Sequence, residues 1–217
     1  AAPIQIDTKD YNVVTYIKVG DSSNLENKIS VLLSNSQFLL FLKSKNIRMS
    51  FIVNRVTKCW IDKSENNGIV VLSANGIEES RWLIHTNKSV EVPENLRESI
   101  NADINTPDKL KESKTFDLSF AIALDKNSKL KRLEREESVI YTYLPTSFRF
   151  GAEGFPFLVN ANFITDAGRQ QLHKDSEWNK LIFSKIPSEF ILWIKGISSA
   201  YQNYWEILNE KSYGRSN

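Results

Sequence analysis

The 217-residue sequence holds one cysteine, one methionine and two histidines, and each scarcity removes a class of chemistry. A lone cysteine, Cys59, excludes an internal disulfide. Flanked by Val56 and Trp60, it reads as a small buried hydrophobe and not as a nucleophile. With His85 and His173 the only histidines, a two-histidine metal site requires those two to meet, and no His/Cys cluster has the spacing of a zinc site. A P-loop and a GxSxG elbow are absent. Gly151 and Gly154 are too sparse to cradle a phosphate and read as a loop between strands. No apolar run approaches the roughly 20 residues of a membrane-spanning helix, and no signal peptide opens the chain. A cytoplasmic protein without membrane contact is the expectation. The balance of 28 basic against 26 acidic residues leaves a formal charge of +2, which argues against nucleic acid as a partner. The densest charge run, residues 126–137, mixes both signs and reads as a solvated turn or hairpin arm.

What is present is an ordinary globular composition, 41% hydrophobic and 25% charged, enough for one sizeable core or two small ones. The chain does not begin with Met, and a fragment of a longer protein is expected. It reads as a single α+β unit over 1–217. Residues 1–165 form a mixed or antiparallel sheet with helices on one face, and residues 166–217 a helical extension. β-branched and aromatic residues predict a strand at 11–19, then a turn at 21–24 and a short helix at 25–33. The apolar run 37–43 suits either a helix or a strand. Alternation predicts strands at 47–54, 56–62, 68–74 and 80–86, with the polar stretch 63–67 as a hairpin connection. A helix follows Pro93 to about residue 101, and residues 105–114 connect it to a charge-poor, central strand at 116–124. Apolar residues at helical spacing predict a pair of helices over 176–189 and 190–211.

The stretch 141–179 is the most informative. A strand over 139–145 stops at Pro145, and the run 155–164 reads as a further strand with Asn160 and Asn162 on one face. Thr165 and Asp166 then offer an N-cap for a short helix over 167–173, which puts Arg169 near a helix start. Taken alone, such an arginine is either a surface residue tied to Asp166 or Asp175 or a group that reaches a phosphate.

The motifs Leu144-Pro145-Thr146, FLVNANF at 157–163, TDAGR at 165–169 and DSEWN at 175–179 resemble, in order and spacing, the region that follows the ATP-binding domain in sacsin-like members of the GHKL ATPase superfamily. The resemblance covers the second half of the chain and extends more loosely to the first. It implies a middle or transducer-type domain that relays nucleotide state and lends an arginine, Arg169, to the γ-phosphate of ATP held by the preceding domain. In related heat-shock chaperones the arginine is followed by an acid and, further on, a glutamine. Here Gln170 stands in place of the acid and His173 in place of that glutamine, so Gln170 and Gln171 are the candidates to contact nucleotide beside Arg169. ATP and Mg²⁺ would belong to the parent protein, and the fragment alone is expected not to hydrolyse ATP. The implied partner is an N-terminal ATP-binding domain of the same chain, with a homodimer or a protein client beyond it. Two other readings stay open: a standalone protein-interaction module built on the aromatic-rich C-terminal helices, and the transducer of a DNA-processing ATPase.

Overall fold

The computed structural model describes residues 27–29, 31, 36–53, 56–150, 154–168 and 170–208. The strand expected at 11–19 and the turn at 21–24 lie outside the described residues. Of the helix expected at 25–33, residues 27–29 and 31 are described and are helical.

Four strands, β1 (Ile47–Val53), β2 (Val56–Asn66), β3 (Ile69–Ala74) and β4 (Ile77–Glu91), form an antiparallel meander. Asparagine-glycine pairs make two of its turns. Asn67 and Gly68 have φ of 50° and 76°, and Asn75 and Gly76 have 50° and 81°, the left-handed backbone that matches a two-residue hairpin to the strand twist. The first turn was legible in the sequence, although the polar residues before it are strand and not connection. Lys63 pairs with Leu72 and Glu65 with Val70, because Lys63 finds hydrogen-bond partners on the face to which alternation sends it. The second pair starts β4 earlier than the expected 80–86 strand, and β4 also ends later.

The charge-poor run becomes β5 (Thr115–Leu124), whose residues 118–124 are all buried. β5 pairs with β4 on one side and with β9 (Leu158–Ala161) on the other. β7 (Ile140–Thr142) lies parallel to β9, and the two-residue β8 (Leu144–Pro145) closes that edge. The sheet order is therefore β1-β2-β3-β4-β5-β9-β7-β8, with the two-residue β6 (Leu130–Lys131) paired to β5 off this path. The sheet is mixed, and the architecture is α+β. The expected strand over 139–145 is split, since the chain doubles back at Tyr143, a non-glycine residue at φ 64°.

Alternation along the strands sends one set of side chains to each face. On one face Leu83, Leu118, Phe120, Ile122, Ile140 and Val159 meet helix α3 (Glu177–Ile197). Phe120 lies 5.5 Å from the ring of Phe190 and 6.0 Å from that of Trp193, and Phe157 stacks on Phe190 at 3.6 Å. On the other face Ile61, Leu72, Trp82, Ala121 and Leu158 are covered by Leu39, Leu40 and Phe41, carried on and just after a 3-10 turn, Ser36–Leu39. Helices α1 (Arg97–Ala102) and α2 (Asp108–Lys111) fill the connection between β4 and β5, and α4 (Trp205–Leu208) follows α3.

The two C-terminal helices expected from periodicity are one 21-residue helix running through Pro187. An internal proline costs about 3 kcal/mol. Seven large apolar side chains of α3 are buried, Trp178, Leu181, Ile182 and Ile186 before the proline and Phe190, Trp193 and Ile194 near or beyond it. At about 1.5–3 kcal/mol each, their burial outweighs the proline several-fold. No helix among the described residues is long and apolar enough to cross a membrane.

Candidate functional site

The four resembling motifs converge on one loop, residues 165–172, that follows β9. The helix expected over 167–173 is not there. Thr165 instead forms an isolated antiparallel bridge with Leu172, the Asp166 amide donates to the Gln171 carbonyl at 3.0 Å, and the His173 amide donates to the Ile164 carbonyl at 3.1 Å. The Asp166 side chain does accept a backbone hydrogen bond as expected, from Gln170 at 2.7 Å. Gly168 sits between Asp166 and that amide, and so short a segment closes as a hairpin-like turn whose aspartate satisfies the loop from within.

The base of this loop is clamped by the DSEWN motif. Ser176 is the N-cap of α3 and fully buried. Trp178 is fully buried and its Nε1 donates to the Asn162 carbonyl at 3.1 Å. Asn179, also fully buried, uses its whole amide: Oδ1 accepts from the Ile164 amide at 2.9 Å, and Nδ2 donates to the carbonyls of Ile164 at 2.8 Å and His173 at 3.0 Å. One side chain therefore satisfies both strands of the loop where they enter the body. Leu172 and Phe163 are buried beneath it.

A second brace comes from the connection between β4 and β5. Asp103 Oδ2 accepts from the Glu177 amide at 3.0 Å, at the first residue of α3, and from Thr106 Oγ1 at 2.7 Å. Its partial burial favours the neutral carboxyl, yet the hydrogen bonds from Thr106, the Asn105 and Glu177 amides and Ser176 outweigh that and hold its pKa at about 2.

Against this fixed base the tip is exposed. Ala167, Gly168, Gln170 and Gln171 all face solvent. Gln170 Oε1 accepts from Ser147 Oγ at 2.9 Å, just beyond the Leu144-Pro145-Thr146 motif. The Gln170 amide nitrogen keeps its two donors, the chemistry a phosphate oxygen accepts. Arg169 lies outside the described residues. Gly168 before it is exposed, as are Gln170 and Gln171, the other two candidates. Among the described residues, no group of three or more His, Cys, Asp or Glu side chains could hold a metal ion.

The remaining candidates are placed elsewhere. His85 stacks on Trp193 at 5.5 Å, and burial lowers its pKa from the usual value against a raising influence from Glu189. His173 is exposed at the loop base. Cys59 is half-buried beside the core cluster of Leu39 and Ile61. Asn179 was visible in the sequence as part of a motif but carried no role there. Its spacing from Ile164 and His173 has meaning only once the loop is closed. Comparison with protein-family models, with curated proteins and with solved structures found no match to this chain.

Proposed function

We propose that this chain is the middle, transducer-type domain of a longer GHKL-superfamily ATPase, carrying the 165–172 loop against nucleotide held by a preceding ATP-binding domain. The observation that supports the reading is the contrast within the loop. Its base is locked by a fully buried asparagine with three hydrogen bonds, while its tip is exposed and polar. A group that must meet charge developing on a phosphoryl oxygen acts best when its orientation is fixed before the nucleotide arrives.

In this reading Arg169 forks two permanent donors onto γ-phosphate oxygens, and Gln170 and Gln171 add neutral amide donors beside it. Mg²⁺ and the general base belong to the preceding domain. Movement of that domain on ATP binding reaches this one through the loop base, Asn179 and the start of α3. The location is cytoplasmic, and the first partner is the ATP-binding domain of the same protein.

The test is ATP turnover by the intact protein. Arg169→Ala lowers turnover toward the 10³–10⁵-fold loss typical of arginine fingers, Arg169→Lys restores part of it, and neither changes the melting temperature of the isolated domain. Normal turnover with a large drop in melting temperature would assign Arg169 to structure and overturn the reading. A second reading, an interaction module, draws on the exposed Leu192, Trp205 and Leu208 near the C-terminal end of the described chain. It is favoured if turnover is unaffected but Trp205→Ser abolishes self-association or partner capture.

A further inference from the structure

A cleft of about 410 Å³ opens on the sheet face opposite α3, beside the 3-10 turn, lined in part by Lys63, Thr86, Lys88, Ser119, Tyr143 and Asn160. Its floor is a polar row in register across three strands. Thr86 of β4 lies opposite Ser119 of β5, and Ser119 opposite Asn160 of β9. The next row along the same strands is apolar, Ile84, Ala121 and Leu158. A strand run that continued the apolar pattern would have closed this face. The polar substitutions at this one level hold it open.

The hydrogen bonds inside the floor leave a consistent surplus. Ser119 and Asn160 are each 5% exposed. Ser119 Oγ accepts from Thr86 Oγ1 at 3.0 Å, so its own proton is left to donate. Asn160 Oδ1 accepts from the Tyr143 amide at 2.7 Å, which orients the side chain and leaves its Nδ2 without a hydrogen bond to any described residue. Lys63 is 3% exposed. Its Nζ donates to the carbonyls of Leu40 at 2.9 Å and Leu42 at 2.6 Å, two of its three protons, with Glu65 Oε2 4.0 Å away. In each of the three buried groups a donor remains. Around the rim stand Lys43, Lys45 and Lys88 against Glu65 and Asp117. With Lys63, four cations face two carboxylates, a net of +2.

Spare buried donors within a lining of net positive charge are complementary to a ligand that accepts hydrogen bonds and carries negative charge. The geometry points to a binding site for the phosphate group of a small organic phosphate. The phosphate oxygens meet Ser119 Oγ and Asn160 Nδ2, and the rest of the ligand lies along Ile84 and Phe41. The volume is in the range of small-molecule sites and exceeds what a bare phosphate needs. This site is separate from the 165–172 loop and does not depend on the ATPase reading.

The experiment is a ¹H–¹⁵N NMR titration of the whole chain at constant ionic strength, with inorganic phosphate and with phenyl phosphate as probes. The expected result is saturable shifts of the Ser119 and Asn160 amides with both probes, tighter for phenyl phosphate because its ring covers Ile84 and Phe41. Asn160→Asp keeps the acceptor for the Tyr143 amide and replaces the donor by a negative oxygen, so it weakens both probes by at least about tenfold, the worth of one charge-assisted hydrogen bond. Should that variant fail to fold, the doubly exposed pair Lys43→Glu and Lys45→Glu must produce a similar loss. Shifts that are absent, that scatter over surface lysines without Ser119 and Asn160, or that persist unchanged in both variants overturn the proposal. Such an outcome would leave the Arg169 turnover assay untouched.

Discussion

At the scale of the residue, Asn179 shows how much one buried polar group can hold. Truncation to alanine would strand the amide of Ile164, while the carbonyls of Ile164 and His173 lose one of their two donors and keep the His173 and Ser176 amides. A buried polar group left unpaired costs about 1–3 kcal/mol, and water entering the new space offsets part of the total. The expected loss for Asn179→Ala is therefore about 1–3 kcal/mol, read by urea denaturation. A further expectation is faster proteolytic cleavage within 165–172 under native conditions, since the loop loses its anchor while its tip is already exposed. A loss below about 1 kcal/mol would mean that the loop base is held by the Thr165–Leu172 bridge alone. Lys63 obeys the same rule from the other direction. Burial lowers its pKa against the raising influence of Glu65, and the two backbone carbonyls it reaches are what allow a lysine to sit 3% exposed.

At the scale of the element, the question is what joins separate pieces into one body. Asp103 caps the C-terminal end of α1 and accepts the first amide of α3 from 74 positions away in sequence, near the positive end of that helix dipole. Its pKa of about 2 in the folded chain lies below the ordinary 3.8. As pH falls the unfolded chain takes up the proton first. The stabilisation is complete above about 3.8 and is lost as pH drops from there toward 2. Because the carboxylate is partly exposed, about 1–2 kcal/mol is the expected size after screening. Thermal melts of the wild type and Asp103→Asn should differ by this amount at pH 6 and converge through that window. A difference that does not change with pH would show that the carboxylate charge is not what binds α3. Elements also reveal where local pattern and tertiary packing disagree. The break expected between residues 189 and 190 is absent, because buried residues on both sides of it hold one continuous helix. The short segment 167–173 had helical composition but no apolar face to bury, so the Asp166 side chain and the strand-like bridge decided its form.

At the scale of the whole molecule, one sheet serves two cores. Residues of β5 alternate between the cluster under α3, through Leu118, Phe120 and Ile122, and the cluster under the 3-10 turn, through Ala121 and Ala123. Neither can be removed without uncovering the other's floor. A chain ending at residue 165 would expose Phe120, Phe157 and Val159, now 0–5% exposed, over an apolar area larger than a soluble monomer usually shows. We expect that truncated chain to be unfolded or aggregated by circular dichroism and light scattering, and the full chain to melt in a single cooperative transition. A folded, monomeric 1–165 fragment would show that the helical part is a separable addition.

The sequence by itself determined the elements whose signal is local. The asparagine-glycine turn at residues 67 and 68, the alternation along β1 and β3, the charge-poor run of β5 and the serine that starts α3 were all legible, because each depends on backbone conformation or on periodicity within a few residues. The sequence also singled out the stretch that builds the loop, although it read residues 167–173 as a helix. Tertiary structure decided the rest. It joined the C-terminal helix across the break expected between residues 189 and 190, turned the expected helix at 167–173 into a closed loop, reversed the chain at Tyr143, and set Thr86, Ser119 and Asn160 in one row. These outcomes depend on contacts between residues tens of positions apart. Asn160 and Ser119 are 41 positions from one another in the chain, and only the register of β5 against β9 makes them neighbours. Local propensity carries no information about which distant groups will satisfy a buried amide, and here those distant groups fix the shape of both candidate sites.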